Sequence, residues 1–175
     1  MDMLSKFDEA SQWASEKVAG AAAHLDDRTP CEQWDARSLI NHMCESQQYF
    51  IAKARGEDAS MPSPEPPDFI GSDPVLTYKS YATATLEAYR DPDVQEKEAM
   101  SLGLTFVDQL VHGWDLAKAT GQDTTMPPEL AEAAFALIDG QMPADKRGDA
   151  FKPEIATAPN VPAQDKLLAY TGRNP

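Results

Sequence analysis

Apolar residues recur along this chain at steps of three and four, the spacing of one face of an α-helix; no stretch shows the strict alternation of a half-buried strand. The first such stretch runs from Met3 to Leu25, where Leu4, Phe7, Ala14, Val18 and Ala21 share a face and Lys6, Glu9, Glu16 and Lys17 suit a wet one. A second helix is predicted from a cap at Asp35 to about Ala54, stopped by Gly56. Its apolar row is Leu39, Met43 and Phe50, flanked by Ile40, Cys44 and Ile51, and His42 borders that stripe. A third is capped by Ser72 or Asp73 with Pro74 in its first turn, carries Val75, Tyr78, Ala82, Thr85 and Tyr89 inward, and is ended by Asp91 and Pro92. A fourth spans about Leu102 to Thr120 before Gly121, a fifth Pro127 to Gln141, and a short sixth Pro162 to Tyr170 before Gly172.

Between the second and third helices, residues 56–73 are rich in proline and short polar side chains, which predicts a long loop. Loops of that length inside a compact domain are often functional or mobile. A second stretch rich in proline and charge follows the fifth helix. Several long amphipathic helices without strands predict an all-α fold, a helical bundle with extra C-terminal helical segments, in one domain over 1–175.

The fourth helix breaks the apolar rule. Leu104, Val107, Val111, Trp114 and Lys118 mark one row, but the row beside it is Asp108, His112, Asp115 and Ala119. Polar residues therefore stand where a bundle core is apolar. Bundles build metal sites from side chains on facing helices.

Composition narrows the partners. Asp and Glu outnumber Lys and Arg 29 to 15, for a formal net charge of −14. Such a surface repels phosphate backbones and anionic membranes, and no basic stripe offsets it. No run approaches the roughly 20 apolar residues of a membrane helix. The start, MDMLSKFDEA, lacks the pattern of a signal peptide, so a cytoplasmic protein is expected. The two cysteines, Cys31 and Cys44, make no CxxC pattern and are expected as reduced thiols. Cys44 lies on the opposite side of its helix from His42 and reads as a small core residue.

Asp108 and His112 are spaced i and i+4, so on a helix both point the same way and reach one cation. Carboxylate and imidazole are usual ligands of zinc and other first-row divalent metals. An Asp/His pair at this spacing also forms ordinary surface hydrogen bonds. A third ligand has to come from another element, and His42 is the best placed. Asp115, three residues after His112, reads either as an acceptor behind a ligating histidine or as an exposed carboxylate, with the exposed reading slightly ahead. His24 reads as a solvated residue near a helix end. Trp34 and Trp114 read as core. No nucleophile elbow, glycine-rich phosphate loop or HExxH element is present.

Three strings carry a family resemblance: TPCEQWDARSLINHM, FVDQLVHGWDLAKATGQ and the closing DKLLAYTGRNP. They resemble the mycothiol-dependent maleylpyruvate isomerase-like branch of the DinB superfamily, from about Thr29 to the end. Residues 56–73 and 143–163 carry little of it. The resemblance implies a four-helix bundle holding one divalent ion, commonly zinc or nickel. It implies three ligands: the histidine of the NHM element, His42, and an acidic-x-x-x-His element, Asp108 and His112. The isomerase itself resembles this chain less closely at one ligand, with glutamate where Asp108 stands.

The leading expectation is a metalloenzyme that activates a low-molecular-weight thiol, mycothiol or its like, for isomerisation, transfer or conjugation of a small electrophilic substrate. Three protein ligands leave an open position on the ion. A hydrolase using activated water, and a metal-binding or sensor protein without turnover, are the alternatives.

Overall fold

The computed structural model describes residues 1–141 and 152–175. Among these, seven helices and no strand are present: α1 (Met3–Ala21), α2 (Ala36–Arg55), α3 (Pro74–Ala88), α4 (Pro92–Lys97), α5 (Ala99–Ala119), α6 (Pro128–Ile138) and α7 (Ala163–Tyr170). The fold is all-α, as the periodicity predicts. Contacts group the chain into two compact units, Met1–Thr124 and Thr125–Pro175.

In the first unit each of the four long helices has two long neighbours. α1 packs on α5 and α3, and α2 packs on α3 and α5. The shared core includes Ala14 and Val18 of α1, Leu39, Ile40, Met43 and Cys44 of α2, Tyr78 of α3 and Leu116 of α5. α5 is buried around most of its circumference, from Leu102 and Phe106 to Leu116 and Ala117. Its polar row therefore lies inside the protein.

Local chemistry sets the ends. Asp35 caps α2 by accepting from the Ser38 amide at 2.8 Å, and Gly56, at φ 70°, closes it in the left-handed conformation. Asp73 caps α3 in the same way through the Leu76 amide. The first helix stops at Ala21, short of the Leu25 expected, and His24 lies in the turn beyond. Asp91 and Pro92, read as the end of the third helix, also start a helix: Asp91 caps α4 and Pro92 occupies its first turn, where the missing N–H is harmless.

Residues 56–73 form no helix, but they are tied down. Asn41 of α2 accepts from the amides of Phe69 and Ile70 at 2.7 and 3.0 Å, and Glu45 accepts from Ser63 at 3.0 Å. Ile70 is buried in the core. The loop is thus strapped to the helix that carries His42.

In the second unit α6 packs on α7, and Leu130, Ala134, Ile138, Leu167 and Leu168 are buried. The proline- and charge-rich stretch after α6 falls partly on 142–151, outside the described residues. No helix of the described residues is long and apolar enough to cross a membrane.

Candidate metal centre

α2 and α5 face each other, and the polar row of α5 meets His42 across that contact. His42, Asp108 and His112 each offer a ligand atom, and the three atoms lie within 4.8 Å of one another. His112 Nε2 is 3.3 Å from Asp108 Oδ1. Two ligands about 2.0–2.1 Å from a tetrahedral ion stand about 3.3–3.4 Å apart, so this pair already spans one edge of such a shell. The two imidazoles meet nearly edge to face, ring centroids 5.0 Å apart. The donor set therefore fits a divalent ion: two nitrogens and one carboxylate oxygen converge from two helices.

Asp115 is not the exposed carboxylate that the sequence reading slightly favoured. It is 0% exposed, and its Oδ2 lies 3.1 Å from His112 Nδ1. Helix geometry brings this about. Residues i and i+3 share a face, and on α5 that face is covered. His112 is thus held at both nitrogens, Nε2 toward Asp108 and Nδ1 toward Asp115.

The charges are coupled. Burial pushes the Asp108 carboxyl up, but His112, His42 and a hydrogen bond from Ser46 outweigh that and hold it below the usual carboxylate value. Burial pushes the His112 imidazole down, yet the Asp108 charge and hydrogen bonds to Asp108, Asp115 and Cys31 carry it well above 6.5. Without a cation, this cluster keeps a proton where a cation would sit. Beneath it Gln109 Nε2 approaches Asp108 Oδ2 at 3.4 Å, and Gln109 accepts from the Tyr78 hydroxyl at 2.6 Å. The carboxylate is backed by a buried polar pair and held by it.

Two side chains that the sequence reading did not bring to the site stand at the cluster: Trp34, read as core, and Cys31, read as a reduced thiol, are both only partly buried. The indole of Trp34 stacks on His42, centroids 4.3 Å apart at 29°, and meets His112 edge-on at 6.3 Å. Its Nε1 donates to the Pro64 carbonyl at 2.9 Å, joining it to the strapped loop. Cys31 Sγ donates to Asp115 Oδ2 at 3.3 Å. Both belong to the turn before α2, where Thr29 Oγ1 bonds the Cys31 and Trp34 carbonyls. The signal available was proximity to the α2 cap at Asp35, but the fold of that turn was needed to aim them.

Three further residues lie where the sequence reading puts them. His24 pairs with Asp27 at 3.4 Å on the surface, apart from the cluster. Cys44 is a buried core residue whose thiol burial pushes up to about 12. Trp114 is buried, with Lys118 Nζ 5.2 Å from its ring.

Two uncharacterized proteins of Mycobacterium tuberculosis, one from strain CDC 1551 / Oshkosh and one from strain H37Rv, are similar to this chain. Each is 29% identical over 188 residues, which cover 99% of this chain and 98% of the relative. No family model matches the chain. No solved structure matches it.

Proposed function

We propose that the protein is a DinB-type four-helix-bundle metalloprotein that holds one divalent ion, zinc or nickel, through His42, Asp108 and His112, and activates a low-molecular-weight thiol of the mycothiol type. The reading rests on one observation above all: the three ligand atoms, from two helices, lie within 4.8 Å. The resemblance of the NHM and DQLVH elements to the maleylpyruvate isomerase-like branch supports it. A bound divalent ion lowers the proton affinity of a thiol placed on its open position and so supplies a nucleophile at neutral pH.

The chain's own residues do the rest. Asp115 accepts the Nδ1–H of His112, which fixes the tautomer and leaves the Nε2 lone pair for the centre. Asp108 supplies the negative charge of the donor set. Two imidazoles and one carboxylate leave a net positive charge on a divalent ion, which attracts a thiolate. Trp34 stacks on the His42 ring and covers that face of it. With an ion held there, the centre would supply a thiolate for isomerisation, transfer or conjugation of a small electrophile.

Metal analysis of protein purified without added metal, combined with turnover of a panel of electrophiles with and without thiol, tests this reading. Turnover that needs both ion and thiol supports it. Turnover that needs the ion alone replaces it with a hydrolase.

A further inference from the structure

His112 presents its two nitrogens to two different donor sets. On the Nε2 side stand Asp108 and His42. On the Nδ1 side stand Asp115 and Cys31, and the ligand atoms of Cys31, His112 and Asp115 also lie within 4.8 Å of one another. Asp115 Oδ2 is 3.3 Å from Cys31 Sγ and 3.1 Å from His112 Nδ1. These spacings are close to what a tetrahedral ion imposes on oxygen, nitrogen and sulfur at about 2.0–2.3 Å. We propose that Cys31, Asp115 and the Nδ1 edge of His112 form a second cation site, selective for thiophilic ions, that shares His112 with the first and excludes it.

The selectivity follows from the donors. His42, Asp108 and His112 offer nitrogen and oxygen only; the second set adds a sulfur, and thiolates favour soft ions. Access and rigidity fit as well. Cys31 is partly exposed, whereas Asp115 and His112 are buried, so an ion enters from the thiol side. The turn that carries Cys31 is fixed: Thr29 Oγ1 accepts from the Cys31 amide at 3.2 Å and donates toward the Cys31 carbonyl at 3.1 Å and the Trp34 carbonyl at 2.7 Å.

The exclusion follows from the imidazole. A neutral ring has one lone-pair nitrogen and one N–H. With an ion on Nε2, the proton sits on Nδ1 and is donated to Asp115. With an ion on Nδ1, the Cys31 thiol proton and the Nδ1 proton of the charged ring both leave to solvent, and the one proton left on the ring, at Nε2, is donated to Asp108. Each donor set thus serves as the hydrogen-bond partner of the other. Filling both at once would require the imidazolate. The inference does not rest on thiol activation at the first centre.

The test uses the full chain stripped of metal by chelation and titrated with Cd2+ as the thiophilic probe. An ultraviolet thiolate-to-cadmium band should grow to one equivalent. It should vanish in Cys31→Ser and persist in Cys44→Ser and His42→Ala. In the unmodified chain Cd2+ should protect Cys31 from iodoacetamide, as located by mass spectrometry, which keeps the test decisive if Cys31→Ser does not fold. No band, or a band that survives Cys31→Ser, or equal alkylation of Cys31 with and without Cd2+, overturns the site. A band lost in folded His42→Ala assigns the sulfur to the first centre and overturns a separate site. Stable loading of Ni2+ and Cd2+ together at neutral pH overturns the exclusion.

Discussion

The indole of Trp34 stacks on the imidazole of His42, with ring centroids 4.3 Å apart and 29° between the planes. One residue sits in the turn before α2 and the other on the second turn of that helix, so the stack folds the helix entrance back over the cluster. A reporter is thereby built into the site. Co2+ or Ni2+ bound at His42, Asp108 and His112 should quench Trp34 emission most, and the emission of Trp13 and Trp114 is what remains to be read in Trp34→Phe. The quench should shrink sharply in Trp34→Phe at unchanged ion binding. An equal quench in both proteins would remove Trp34 from the site.

Asp115 should matter to an ion held by His42, Asp108 and His112 without touching it. Replacing it with Asn removes the charge that holds His112 Nδ1–H and should weaken divalent-ion affinity about 10–100-fold. Competition with a chelating dye measures this, and an unchanged circular dichroism spectrum excludes unfolding as the cause. Affinity equal to that of the parent would show that the contact is incidental.

Above about pH 6.5 the metal-free and metal-loaded proteins should respond to pH with opposite signs. Without metal, His112 binds its proton more tightly than in the unfolded chain. That stabilisation is complete below about pH 6.5 and is lost as pH climbs through the raised value. Asp108, held low, contributes stability above its ordinary range that is lost as pH falls through its lowered value. An ion must displace the His112 proton, so occupancy should rise with pH and fall on acidification. Thermal melts across pH, with and without chelator, read both slopes. Occupancy that is flat down to about pH 4 would contradict histidine ligation.

α5 approaches α1 closely at Gly113. A Cβ there would stand 2.5 Å from the Trp13 ring and 3.3 Å from the Ala14 methyl. Gly113→Ala should therefore destabilise the protein by about 1–3 kcal/mol through overpacking. Urea unfolding should show a lower midpoint at unchanged slope. Gly20→Ala, where only the flexible end of Gln122 would have to move, should cost less.

The two helices that carry the candidate ligands were legible because their signals are local. Asp35 and Gly56 bracket α2, and DQLVH places Asp108 and His112 on one face whatever the tertiary structure. That His42 meets them is a property of the α2–α5 contact, which periodicity cannot supply. Asp115 illustrates the difference. Its spacing showed that it could follow His112, but its burial depends on α5 being covered nearly all round. Cys31 and Trp34 lie in a turn fixed by Thr29, and no helical spacing aims them. Pro92 was read by its power to stop a helix, although it also starts α4. The division near Thr124 falls in a short connector between α5 and α6 and leaves no compositional mark.

The most direct measurement is ion stoichiometry by equilibrium dialysis of the stripped chain against Ni2+, in a Cys31→Ser background so that only His42, Asp108 and His112 are read. One ion per chain is predicted there and in the added His24→Ala control, with loss of retention under mild chelation in His42→Ala, Asp108→Ala or His112→Ala. No bound ion at saturating Ni2+, or full retention in His42→Ala, would contradict the centre.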